Sequence, residues 1–188
     1  TLLTCIGNEH WRRERTPKWF GALYGRLGAT RLNDGQIESL RRAPVLLLET
    51  GETTAPSETT VFRSLGGEVR YGFESDLELL APNVLSSVHK DQYKGAQDLL
   101  QRLGVSDATP TAVIDRHILA LHDGADWEDC SDEVLIGHAH YIRDHWHAYL
   151  NAKPPEKRDA AKRELAAKLT VLTSAAEADA RYASAPVL

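Results

Sequence analysis

The apolar residues of this chain come in short groups of helix or strand length, closed by glycine or proline, and none approaches the roughly 18 consecutive residues that a membrane-spanning helix requires. Such a chain has to bury many small amphipathic elements against one another, which predicts a mixed, helix-rich α+β fold of amphipathic helices packed with short β-hairpins. With 188 residues, 42% of them hydrophobic, it can build a core without metal or disulfide staples, as one domain or two small ones.

In the first half, Trp19, Phe20, Leu23, Tyr24 and Leu27 recur at spacings of three and four, which predicts a helix over 17–27 stopped at Gly28. Asn33 or Asp34 caps a second helix carrying Ile37, Leu40 and Ala43, and Pro44 ends it before the buried strand 45–48. The turn-rich stretch 50–57 and the β-favouring residues 59–63 then read as a long-looped hairpin back onto that strand. A further strand is expected at 66–73, through Val69, Tyr71 and Phe73, then a helical turn around Leu77, Leu79 and Leu80 and a break at Ala81-Pro82.

In the second half, a helix from about Asp91 to Leu103 stops at Gly104, and another begins at Thr109-Pro110 and buries Val113, Ile114, Ile118 and Leu121. An acidic loop from Asp123 to Asp129 leads to a helix opened by Ser131 and running to Leu150. After Pro154-Pro155 comes a charged, alanine-rich helix over 156–167, and then a strand over 169–172. Pairing of that strand with Val187-Leu188 would make a second hairpin that echoes the first. The expected organisation is a helix-plus-hairpin module over 1–122 and a helical segment with a second, truncated hairpin over 123–188.

The residue counts exclude several classes. A net charge of −5 opposes a general grip on nucleic acid, which rests on clustered Lys and Arg. Nucleic-acid binding would need Arg12, Arg13, Arg15, Arg41 and Arg42 to converge on one face. Cys5 and Cys130 lack zinc-ligand spacing and fit a reducing compartment at least as well as a single disulfide. The first 15 residues lack the layout of a signal peptide, so the expected location is cytoplasmic. The absence of methionine and the apolar end Ala185-Pro186-Val187-Leu188 are read as the marks of a chain that continues in the natural protein.

One cluster invites chemistry. Four of the eight histidines fall within 138–147. On a helix His140, Asp144 and His147 share a face with metal-ligand spacing, while His138 and His145 lie with Leu135 and Ile142. The competing and favoured reading has His138 and His145 half-buried near Trp146 and Tyr149, with His140 and His147 in water. Asp123, Asp126, Glu128 and Asp129 depart from calcium-loop spacing and read as a solvated loop. No GxSxG, HExxH, Walker or GxGxxG pattern occurs, so no catalytic residue and no cofactor is assigned. Trp127 on the acidic loop, with Arg12 and Arg13, is the expected contact surface.

The order of segments carries a resemblance. The helix 19–27, the run Pro44-Val45-Leu46-Leu47-Leu48-Glu49-Thr50-Gly51, then Val61-Phe62, Asp76 to Leu80, Asp98 to Val105 and Val134 to Ile142 together look like the region that follows the ATPase domain in sacsin-like proteins. In that family an Hsp90-type, histidine-kinase-like ATPase fold precedes such modules. Neither the Asn-bearing helix nor the Asp-x-Gly-x-Gly turn of the ATP site occurs in this chain, so no ATP-binding residue is carried over. The resemblance implies a non-catalytic, chaperone-like interaction or scaffold module whose partners are flanking domains or a protein client. That role predicts a large exposed apolar or aromatic patch. The rival reading is a metal-dependent enzyme using His140, Asp144 and His147.

Overall fold

The computed structural model describes residues 5–6, 8–64, 70–124, 126–172 and 182–184. They form the helix-rich α+β fold that the periodicity predicts. The chain divides into two compact units, Thr1–Leu65 with Leu77–Ala108, and Gly66–Asp76 with Thr109–Leu188. The division thus falls at 108/109 rather than 122/123, because the helix predicted from Thr109 packs with the segments that follow it, and 66–76 joins the second unit.

In the first unit α1 (Glu9–Arg13) is capped by Asn8, and α2 (Pro17–Gly28) by Thr16 with proline in its first turn. Asn33 and Gln36 close a reciprocal capping box on α3 (Asp34–Arg41). Phe20, Leu23 and Tyr24 of α2 are buried with Ile37 and Leu40 of α3. Against them pack Ala96, Leu99, Leu100 and Leu103 of α5 (Tyr93–Leu103), which Gly104 ends at φ 101°. A short helix that the sequence reading missed, α4 (Pro82–Ser86), starts where a break was expected. Proline breaks a helix from inside but suits its first turn.

The strands correct the expected hairpin. β1 (Leu46–Leu47) pairs antiparallel with β2 (Thr53–Thr54), in the stretch read as loop, and not with β3 (Val61–Phe62). Gly51, at φ 87°, lets the chain reverse early, and Leu48 N–H donates to Glu52 O at 2.8 Å across that turn. β3 instead runs parallel to β4 (Glu78–Leu79), where a helical turn was expected. Bridges Leu48–Leu80 and Phe62–Ser106 link these pairs, so β2, β1, β4, β3 and the Ser106 segment follow one another. Tyr24 locks this edge to α2: its buried hydroxyl donates to Val45 O at 2.7 Å and accepts from Leu47 N–H at 3.3 Å.

In the second unit the helix begun at Pro110 contains an unforeseen π turn. α6 (Pro110–Val113) passes through the π segment Ile114–Ile118 into α7 (Leu119–Asp123). Part of the acidic loop is a 3-10 turn, Asp126–Asp129. Ser131 accepts from Val134 N–H and caps α8 (Asp132–Ala152) as its position predicts. The Pro154-Pro155 pair leads through a 3-10 turn into α9 (Arg158–Lys168). β5 (Thr170–Leu172) pairs antiparallel with β6 (Tyr182–Ser184), and the expected partner Val187-Leu188 lies outside the described residues. Val113, Ile114, Ile118, Leu119, Leu135, Ile142, Tyr149 and Leu165 are buried. Of the predicted strand 66–73, residues 66–69 lie outside the described residues, and 70–73 are not strand.

Candidate functional site

The densest set of chemistry-bearing side chains in the second unit lies where the π turn, α7, α8 and the segment 70–76 meet. A π turn carries one residue more than an α turn and is over-represented at functional positions. Here it holds Asp115 and His117, which engage different partners.

His117 stacks on Phe73, with ring centres 5.7 Å apart and planes 17° apart. His138, fully buried on α8, meets the edge of Phe73 at 4.8 Å and His117 at 5.8 Å. His122, 5% exposed on α7, brings Nε2 to 3.2 Å from His138 Nδ1. One of those nitrogens carries the shared proton and the other accepts it. Two further ring nitrogens, His117 Nε2 and His138 Nε2, are buried with no hydrogen-bond partner. Burial is the main cause that depresses all three histidines. His122 is lowered to about 4 with help from His117, and His138 to about 3 with help from His117 and His122. The cluster therefore holds three neutral imidazoles at pH 7.

The segment 70–76 carries Phe73 into this cluster and is itself tightly organised. Glu74 sits in a 3-10 turn (Glu74–Asp76), and its buried carboxylate accepts from Arg70 N–H at 2.7 Å and Tyr71 N–H at 2.9 Å. Desolvation raises its pKa, but the backbone donors outweigh that and leave it below the usual carboxylate value. Close approach to α8 requires glycine at position 137, because a Cβ there would lie 2.0 Å from Tyr71 O. Tyr71 and Phe73 stand edge-on to Tyr141, at 5.0 and 5.3 Å, and Tyr141 lies 4.4 Å from His145.

Asp115, from the same π turn, accepts from the buried Tyr149 hydroxyl at 2.9 Å and pairs with Lys153. Lys153 Nζ also lies 4.7 Å from the centre of the Tyr149 ring, so the pair clamps the end of α8 to the π turn.

The predicted metal set does not assemble. His140, Asp144 and His147 are all exposed, as the packing reading expects for the two histidines. Asp144 is engaged by Arg143 at 2.7 Å and by the Tyr71 hydroxyl at 3.3 Å. Among the described residues no group of three or more His, Cys, Asp or Glu side chains is placed to hold a metal ion. His145 is half-buried as expected, but His138 is completely buried rather than half. Sequence reasoning placed His138 on an apolar face and missed its partners His117 and His122. Their only signal was helical spacing on a separate element.

The predicted contact residues lie apart in the chain's organisation, Arg12 and Arg13 in the first unit and Trp127 in the second. Arg12 donates to Thr53 Oγ1 at 2.8 Å and to Ile6 O, which fastens α1 to β2. Arg13 is exposed and pairs with Glu9 one helical turn away. Both arginines line a polar groove of about 470 Å³ with Glu9, Glu52 and residues 50–53. Trp127 is half-buried on its 3-10 turn. The expected apolar patch is not present among the described residues, where Tyr93 and Ile136 are the exposed large hydrophobics. Among them too, no helix is long and apolar enough to cross a membrane.

No family model, no curated protein and no solved structure matches the chain.

Proposed function

We propose that the chain is a non-catalytic interaction module of a larger sacsin-like, ATPase-containing protein, serving a chaperone-like role toward its flanking domains or a protein client. The observation that carries this reading is the inward placement of the strongly perturbed ionisable groups. Side chains tuned for catalysis usually line a cleft that substrate can enter. Here His138 is 0% and His122 5% exposed, in a cluster filled by Phe73 and by one another. Tyr24 and Tyr149 are likewise buried and spend their hydroxyls on Val45 O and Asp115. Such groups specify packing.

The surface this reading favours is polar. With so few large apolar side chains exposed among the described residues, recognition falls to charge and hydrogen bonding, and the groove carrying Arg12, Arg13, Glu9 and Glu52 supplies both signs of charge. Arg12 is committed to holding α1, which leaves Arg13 as the better-placed contact. The resemblance of the segment order to the region after the sacsin-like ATPase domain supports the wider context.

A photo-crosslinking residue at Arg13 in the full-length natural protein tests the proposal, with the same residue at the exposed Lys90 as control. Crosslinks from position 13 to a flanking domain or a client, several-fold above control, are the expected result. Equal yields at both positions would refute the groove as contact surface, and turnover of a small substrate by the purified chain would refute the non-catalytic reading.

A further inference from the structure

The histidine cluster has a property that neither packing nor docking uses. His138 is fully buried and in ring contact with both His117 and His122, and the buried nitrogens His117 Nε2 and His138 Nε2 have no hydrogen-bond partner. A second proton on His138 would charge a fully buried ring whose Nε2 has no hydrogen-bond partner, and buried charge without a partner is strongly disfavoured. Phe73 rests on two of these rings, stacked on His117 and edge-on to His138, and His122 in turn reaches His138 at 3.2 Å. We infer that the cluster is an acid-sensitive latch: segment 70–76 stays docked on α8 only while His117, His122 and His138 are all neutral, and their protonation releases it. This inference does not rest on the interaction-module proposal.

The charged and titratable groups around the cluster decide which histidines drive the release. From segment 70–76, Asp76 acts on His117 and favours its protonated form, which partly offsets the burial of that ring. Glu74 is occupied by the backbone amides of Arg70 and Tyr71. From α8, Tyr141 is pushed up to about 12 and stays neutral, Asp144 is paired with Arg143, and the half-buried His145 lies tilted against Tyr141. The Tyr71 phenol is also raised and stays neutral. Next to His122, Asp123 is bound by Lys168 at 3.1 Å. His122 and His138 are instead pressed toward neutrality by neighbouring imidazoles, and they are the driving pair.

The direction follows from linkage. Both groups are lower when closed than when open, so the closed form is favoured fully above the open-state value of roughly 6.5 and loses its advantage as pH falls below it. With closed values of about 4 and about 3, the two histidines raise the open-to-closed ratio about tenfold from pH 7 to 6. From pH 7 to 5 the rise is about five-hundredfold.

Hydrogen exchange of the whole chain at pH 7, 6 and 5, corrected for intrinsic exchange, measures opening of the peptide spanning 70–76. The expected log-opening slope approaches two protons per opening below pH 6.5. His122→Gln, which can still hydrogen-bond His138, should reduce that slope by about one. A pH-independent opening, or a slope unchanged in the variant, would overturn the latch. Should the variant not fold, NMR titration of the wild-type imidazoles decides: rings 117, 122 and 138 staying neutral at pH 5 supports it, and protonation in the ordinary range near 6.5 refutes it.

Discussion

Substituting Gly28 by alanine should destabilise the first unit far more than substituting the glycine it faces. Helices α2 and α5 touch backbone to backbone at Gly28 and Gly95. A Cβ on Gly28 would stand 2.2 Å from both the carbonyl carbon and the oxygen of Gly95, and 2.6 Å from Ala96 N. These are main-chain atoms in the first turn of α5 and cannot rotate away. Restoring an ordinary 3.4 Å contact would push the helices apart by about 1.2 Å, opening the interface between Leu23 and Tyr24 on one side and Ala96 and Leu100 on the other. Overpacking of this kind costs about 1–3 kcal/mol. Gly28 ends its helix, so the propensity gain from alanine recovers little, and about 2–3 kcal/mol should be lost. A Cβ on Gly95 would meet Gly28 O at 2.9 Å, which a shift of about half an ångström relieves. Gly95 lies inside its helix, where alanine gains about 1 kcal/mol, so Gly95→Ala should cost only about 0–1 kcal/mol. Urea unfolding, followed by the fluorescence of Trp11 and Trp19, measures both. With a slope of about 2 kcal/mol/M, Gly28→Ala should lower the midpoint by about 1–1.5 M and Gly95→Ala by less than about 0.5 M. Equal costs, or a stabilised Gly28→Ala, would refute the close-approach argument.

Tyr24→Phe leaves the buried Leu47 N–H without its acceptor and should cost about 1–3 kcal/mol in the same urea assay, with an unchanged slope. Glu74→Gln removes the carboxylate that holds the Arg70 and Tyr71 amides, so their exchange should speed up at pH 7. Because the Glu74 pKa is lowered on folding, wild type should lose this protection as pH falls through the usual carboxylate range and keep it above. Zinc or nickel added to the tag-free chain should give no stoichiometric, stabilising complex in thermal unfolding, and His140→Ala should behave as wild type. A stabilisation abolished by that variant would restore the metal reading of His140, Asp144 and His147.

The candidate site was half legible in the sequence. Helical periodicity places His138 on the apolar face of α8, and the structure buries it. It also leaves His140 and His147 in water, on a face they share with Asp144 and the exposed Ile136. What periodicity cannot supply is the partner across a tertiary contact. His117 and His122 sit on a different element, and Phe73 arrives on a segment that reads as strand because Val69, Tyr71 and Phe73 alternate. Among the described residues of that segment the alternation loses to Glu74, whose carboxylate captures the two amides that a strand would have paired.

The sequence by itself determined where several of the helices begin or end. Thr16, Asn33, Thr109 and Ser131 cap through their own side chains, and Gly104 ends a helix in the left-handed region. Caps act within one turn, so residues three apart carry the whole instruction. It also determined which faces are apolar, and from them the α+β class. Strand pairing was decided only by the tertiary structure. Strands of two residues carry almost no register information, and their partners follow from what the helices leave available. Hence β1 takes β2 across the Gly51 turn while β3 takes β4 from beyond the second unit's segment. The neutrality of the histidines was decided there too, because an imidazole is set by the water and charge around it, and those come from residues distant in the chain.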